Sequence, residues 1–449
     1  QKRGLAPLRR QKTVCQMLLD THGLELTELK NLIDSGGDYH NLSKLIESIT
    51  HLELRRDLIA HITKEARLLR ASNGDEAIGT KVLSDVDDTL YSSGGKFPAG
   101  CDAVYPRHVV YPGCLVLYEV LDRASRSPSL SPNTSCNLVF LSARPHIYKS
   151  VAEDQSYQLF RDLVRDHRMH ALPTLLPGRF VYALFALMCY PFVKTKAWKW
   201  VGQYKYLAFK TFATLYPEYD FVFCGDNGQG DLLAGELMLE ENGTEQSDSD
   251  SDEDVHTEPR RRDGRTLCVL IHEVLPRDAE LSRVPAADRP SCWRDDMRRR
   301  GLIFHRTYIG AALGLFERGI ISIEGLETVA RTAIDDFLWA VAAFPEYNGW
   351  GDAAQELYDD ILAASATLVA NGRPEVKEDL RDAVRRARHE ARQAKKMRRR
   401  RFRTWSGFAV QSPKREPCCI DSGDDVITQE WSSSEDSSSV EESPAAGPA

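Results

Sequence analysis

Long apolar runs are missing from this 449-residue chain. The longest, Phe180 to Val193, spans fourteen residues and contains Pro191, short of the roughly 20 that a helix needs to cross a bilayer. A membrane-spanning helix is therefore not expected. No charged-then-apolar leader opens the chain, which starts at Gln1 rather than Met and so leaves open a leader removed ahead of it. Cysteine is scarce: ten residues without a CxxC pair, most in apolar contexts such as Cys114, Cys189, Cys224 and Cys268. That usage suits a reduced, cytoplasmic protein. A basic excess is missing too. With 58 Lys and Arg against 66 Asp and Glu, the net charge is −8, which argues against a general nucleic-acid binder and leaves room only for local basic patches. There is no GxxxxGK[ST] loop and no GxSxG elbow, so neither a P-loop NTPase nor a serine hydrolase is supported.

What is there is enough apolar sequence, 42% of residues, to fill at least one real core. Residues 1–75 read as a helical region, with apolar periodicity at Leu42, Leu45, Ile46 and Ile49 and at Leu54, Leu58 and Ile62. From Lys81 the pattern changes to short apolar runs ending in small or acidic residues: Lys81 to Asp87, Asn137 to Ala143, Asp220 to Asp226 and Thr266 to Val274. Such runs fit buried parallel strands. Helical patterns lie between them at Gly113 to Ala124, Lys149 to Arg168 and Gln203 to Leu215. Alternating strands and helices predict an α/β, doubly wound parallel sheet over 76–280. Within it, residues 240–264 are acidic and Ser-rich with no apolar face, and are expected to be a disordered insertion. Residues 281–403 read as helical, with stripes at Leu313, Phe316 and Ile320 and at Ile334, Phe337 and Leu338, and end in a basic segment from Arg381 to Arg403. Residues 404–449, rich in Ser, Glu, Asp and Pro, are expected to be a disordered tail.

The strongest chemical signal is Ser84-Asp85-Val86-Asp87-Asp88-Thr89 at the end of the first expected strand. Carboxylates this close cannot all stay ionised without a cation, and a divalent metal is the simplest one. An acidic turn in which Asp88 or Thr89 caps a helix is the alternative. A second strand ends in Leu141-Ser142-Ala143-Arg144-Pro145, which sets a hydroxyl at the carboxyl-end crevice where such sheets bind ligands; a strand-end Ser also serves commonly as a helix cap. His146 beside it reads as a substrate contact or a surface histidine. A third strand ends in Cys224-Gly225-Asp226-Asn227-Gly228-Gln229-Gly230-Asp231, whose glycines turn chemistry alone could explain. Lys205 is expected to open the helix before it.

In this order the pieces resemble the haloacid-dehalogenase (HAD) superfamily: a DxDxT motif, a strand-end Ser or Thr, a Lys, and GDx4D. More narrowly, Asp85 to Thr89, Leu141 to Pro145, and Lys205 leading through Tyr216-Pro217-Glu218-Tyr219 into Phe223 to Asp231 resemble the actin-patch-type phosphatidate phosphatase catalytic domain, related to the lipin-type enzymes. The resemblance covers roughly Thr80 to Pro276 and implies a HAD-like fold with a small or absent cap, since the insert between Thr89 and Gly113 is short. It implies Asp85 as nucleophile and Asp87 as general acid and base. It implies a Mg²⁺ site built from Asp85, the Asp87 carbonyl and Asp226, with Asp231 in support. Ser142 and Lys205 would bind the substrate phosphate.

The function this implies is Mg²⁺-dependent hydrolysis of phosphatidate to diacylglycerol and phosphate at a phospholipid membrane surface, by a cytoplasmic, peripherally membrane-associated enzyme. Phe180 to Val193 followed by Lys194, Lys196, Trp198, Lys199 and Trp200 has the composition of an interfacial contact, or of a core helix with a basic edge. Two other readings stand beside it: a HAD phosphatase acting on a soluble phosphomonoester or phosphoprotein, and an adaptor that uses the fold only to bind phosphate headgroups. Asp85 speaks against the adaptor. The basic segment reads as an electrostatic membrane anchor, a solvated helix or a nuclear-import signal.

Overall fold

The computed structural model describes residues 8–35, 41–95, 100–124, 137–142, 151–166, 168–177, 198–244, 264–276, 280, 282, 284, 288–376, 382–386, 388, 389 and 393. The apolar segment 180–193, His146, the tail and most of the acidic and basic segments lie outside these residues, and of Ser142 only the backbone is described.

Six strands, β1 (Thr80–Ser84), β2 (Leu138–Ser142), β3 (Thr174–Pro177), β4 (Asp220–Asp226), β5 (Thr266–His272) and β6 (Leu302–His305), form one parallel sheet in the order β3-β2-β1-β4-β5-β6. The order and the helices on both faces are compatible with a doubly wound α/β fold. Four of the strands are the apolar runs anticipated from sequence. β1, however, stops at Ser84, so Asp85 to Asp87 lie beyond it rather than within it. β3 and β6 were not legible: each has four residues, too few to show a period, and β6 interrupts the stretch after Pro290 where only helix was expected.

β1 and β4 are buried along their whole length, and their residues alternate between two cores. Val82, Phe140, Val222, Cys224 and Leu270 face one core with α5 (Cys114–Ala124), α6 (Val151–Arg165), α10 (Tyr308–Glu317), α11 (Ile323–Ala343) and α12 (Trp350–Ala370). Leu83, Val139, Phe221, Phe223 and Val269 face the other. That second face is covered by α1 (Leu8–Leu19), α2 (Gly23–Asp34), α3 (Leu42–Glu47), α4 (Leu52–Ser72), α7 (residues 198–213), α8 (Asp231–Thr244) and α9 (Trp293–Arg300). Helix α8 continues through Thr244 into the stretch expected to be disordered from Glu240, because Glu241 is held by Lys210 at 2.7 Å and Tyr206 at 3.1 Å on α7.

The N-terminal helices are joined to the sheet by polar groups as well as apolar ones. Lys30 on α2, fully buried, donates to the Leu215 carbonyl (2.9 Å) and pairs with the equally buried Glu218 at 2.7 Å. Thr27 donates to the same carboxylate (3.0 Å), and Tyr216 donates to Asp34 (2.7 Å). Lys81, the second residue of β1, reaches Asn31 and Asn137 at 3.0 and 3.2 Å and lies 4.1 Å from the centre of the Tyr216 ring.

Burial draws the Lys81 ammonium down from 10.5 to about 8, against the pull of Asp34 and Glu218. Between these values the unfolded chain binds a proton that the folded chain does not, so stability rises with pH across the window. Below pH 8 both states hold the proton and the burial cost is complete. Urea unfolding of Lys81→Met should lack this rise, which amounts to about 3 kcal/mol at about 1.4 kcal/mol per pH unit. Equal pH slopes for variant and wild type between pH 8 and 10 would show that Lys81 is not its source.

Candidate active site

The chain leaves β1 outward to β2 and β3 and returns to β4 beside β1, so the loops after β1 and β4 diverge and open a crevice at the carboxyl edge of the sheet. Asp85 and Asp226 end up on either side of it. The Asp85 amide continues the ladder by donating to the Cys224 carbonyl at 2.9 Å. Asp226 is the last residue of β4 and pairs in register with His272 of β5.

Lys205 does not open its helix, as the sequence suggested. α7 already runs from residue 198, through Trp198 and Trp200, and Lys205 sits in its interior. From there its ammonium, 2% exposed, lies 3.0 Å from Asp85 Oδ1 and 2.5 Å from Asp231 Oδ1. Asp85, Asp226 and Asp231, all buried, each offer an oxygen within 4.8 Å of the others. Asp226 Oδ1 accepts from the Gly228 and Gln229 amides, while its Oδ2 is buried with no hydrogen-bond partner.

Burial and crowding shape the charge. Burial lifts Asp85 to about 7, opposed by Lys205 and reinforced by Asp231 and Asp87. Asp226 is pushed well above the usual carboxylate range, by burial first and then by Asp231 and Asp88. Burial alone would lower Lys205, yet the surrounding Asp231, Asp85 and Asp226 raise it, so it remains a cation. If all three carboxylates ionise, they and the ammonium carry a net charge of −2, which a divalent cation would balance. The orphaned Asp226 Oδ2 and the all-oxygen donor set fit a hard ion such as Mg²⁺.

Two glycines let the β4 loop close on this cluster. A Cβ on Gly225 would stand 2.4 Å from Asp231 Cβ, so only glycine lets the start of α8 approach β4. Gly230 has φ +92°, and a Cβ there would lie 2.4 Å from the Trp198 carbonyl in the first turn of α7. Gly230→Ala should therefore push α7, and Lys205 with it, away from Asp231. The expected cost exceeds about 1 kcal/mol, read as a lowered urea midpoint; a wild-type midpoint would mean that α7 yields freely.

The remaining residues singled out from sequence are placed unevenly. Asp87 is half-buried and its charge bears on Asp85, but its carboxylate is not among the three that converge. Ser142 ends β2 at the same sheet edge, two residues past the Phe140–Ser84 pair. Asp88 caps no helix. Its backbone is left-handed (φ 57°), and its carboxylate accepts amides from Ser93 (2.8 Å), Asp102 (2.9 Å) and Cys101, fastening the loop that follows. His272 was missed: its Nδ1 lies 2.8 Å from the Asp88 carbonyl and its Nε2 3.1 Å from that of Arg306. Asn227 has the sequence setting of a turn residue, yet its side chain receives the Val274 and Leu275 amides at 3.0 and 2.8 Å, tying the loop after β5 to the site. A histidine and an asparagine at strand ends were the available signals.

A scan against protein-family models, a search of curated proteins and a search of solved structures each return no match to this chain.

Proposed function

We propose that the chain is a Mg²⁺-dependent phosphatidate phosphatase with a HAD-like catalytic centre, acting through an aspartyl phosphate. The observation that carries the reading is the buried Lys205 ammonium bridging Asp85 and Asp231 beside an Asp226 oxygen that lacks a partner. A carboxylate at a sheet's switch point, ringed by groups that hold charge in a dry site, is equipped for phosphoryl transfer.

Asp85 Oδ2, the oxygen not nearest Lys205, attacks phosphorus as the phosphorus–oxygen bond to diacylglycerol breaks. Asp87 gives its proton to the departing alkoxide. Water then attacks the same phosphorus as Asp87 takes a proton back, freeing Asp85 and inorganic phosphate. Lys205 and Ser142 hold charge on the phosphate oxygens. Asp85, the Asp87 carbonyl and Asp226 would hold Mg²⁺, with Asp231 fixing Lys205; such an ion would supply positive charge against the phosphate and the carboxylates.

The lipid substrate and a peripheral place on the membrane rest on the motif resemblance and on the composition of the segment 180–193. Among the described residues no helix is long and apolar enough to cross a membrane. Phosphate release from phosphatidate in mixed micelles, compared with p-nitrophenyl phosphate, each with Mg²⁺ or EDTA, tests the reading. Mg²⁺-dependent turnover that strongly favours the micelle supports it. Turnover of the soluble ester alone assigns a soluble substrate, and no turnover of either assigns the headgroup-binding adaptor.

A further inference from the structure

The turn between α1 and α2 meets α4 at a second group of metal-compatible side chains, built from His22, His61 and Glu65. His61 and Glu65 are four residues apart on α4 and so share one face, and His22 comes from the residue preceding α2. Each offers a ligand atom within 4.8 Å of the others. His22 Nδ1 and Glu65 Oε1 are 3.4 Å apart. In a tetrahedron with metal–ligand bonds of about 2.0 to 2.1 Å the ligand–ligand edge is about 3.3 to 3.4 Å, so one edge is already at the length a bound ion requires.

Glu65 and His61 also hold backbone groups, the kind of outer contact that orients metal ligands. Glu65 Oε2 accepts the Gly23 amide at 3.0 Å, leaving Oε1 toward His22. His61 Nε2 lies 2.9 Å from the Thr21 carbonyl, an acceptor that fixes this nitrogen as N–H and leaves the lone pair of a neutral ring on Nδ1. His22 stands at the N-cap of α2 but its side chain makes no capping bond, and it is 64% exposed. Its ring lies 5.1 Å from that of His61 between centroids, and its exposed side can admit water as a fourth ligand.

We propose that His22, His61 and Glu65 form a site for Zn²⁺ or a similar borderline transition-metal ion, separate from the carboxylate cluster. Two imidazoles and one carboxylate select such an ion over Mg²⁺, which prefers oxygen donors. Occupancy would cross-link the α1–α2 turn to α4, on the layer that covers one face of the sheet.

The test uses the full chain, reduced, stripped with EDTA and kept in excess Mg²⁺ to occupy oxygen-only sites. It is titrated with ZnCl₂ against a chromophoric chelator and with CoCl₂ by visible absorption. Wild type should take up a single zinc ion more than His22→Ala, with affinity lowered roughly tenfold or more in Glu65→Gln, and its thermal midpoint should rise with zinc while that of His22→Ala does not. His22→Cys should keep binding and add a thiolate-to-cobalt band. His22 is exposed, so its variants should unfold like wild type without metal. Identical zinc stoichiometry and affinity in wild type and His22→Ala would overturn the proposal, placing any bound zinc on cysteines elsewhere and leaving His22 and Glu65 as an ordinary ion pair.

Discussion

Asp85→Asn should reduce Mg²⁺-dependent phosphate release to below roughly a thousandth of wild type while leaving the protein folded. Uncatalysed cleavage of phosphate monoesters is so slow that enzymes accelerate it by up to about 10²¹-fold, so without a nucleophile little is left to measure. The fold should survive because burial already holds the Asp85 carboxyl up at about 7. A neutral amide of the same shape is therefore tolerated, and Lys205 keeps its contact with Asp231. The measurement is phosphate release from phosphatidate micelles at saturating Mg²⁺, alongside a urea midpoint for the same preparation. A folded variant with a tenth of wild-type turnover would sink the covalent route.

Lys205→Met should destabilise the metal-free protein by about 3 to 5 kcal/mol, the usual loss when one partner of a buried charged group is removed. Methionine fills similar space, so packing is little disturbed. What changes is that Asp85, Asp226 and Asp231, all buried and within 4.8 Å, lose the one ammonium that pairs two of them. Urea unfolding with EDTA should show a lower midpoint at unchanged slope. Adding Mg²⁺ should then recover more stability in the variant than in wild type, because a ligand that binds only the folded state stabilises it in proportion to its affinity. A variant midpoint equal to wild type in EDTA would mean that the carboxylates are held neutral by protons and that Lys205 is not their main counter-charge.

Between them, these two variants separate chemistry from cohesion in one cluster. Asp85→Asn keeps Lys205 against Asp231 and removes the proposed attacking carboxylate. Lys205→Met keeps that carboxylate and removes the counter-charge. Loss of turnover in both, with loss of stability only in the second, is the combined pattern expected.

Much of this arrangement was legible from residues alone. β1, β2, β4 and β5 declare themselves because a strand buried on both faces must be apolar throughout, and each run ends where polar residues mark the sheet edge. The convergence of Asp85 and Asp226 was likewise implied, since strand ends in a parallel sheet lie on one edge whatever their separation in sequence, whereas Lys205, inside a helix, entered the site only through the motif resemblance. Only the tertiary structure decided what no local pattern encodes. β3 and β6 are too short to carry a period, and they are strands because neighbouring strands supply their hydrogen bonds. A helix cap at Asp88 was one alternative, but three amides from residues 93 to 102 fold back to take its carboxylate. Lys30 and Glu218 are buried as a pair because α2 covers the loop before β4, a contact no local pattern announces. His22, His61 and Glu65 meet across a helical turn and a neighbouring helix. Sequence determines what each segment can bury; which polar groups then find one another depends on where the packed segments bring them, and that is a property of the whole fold.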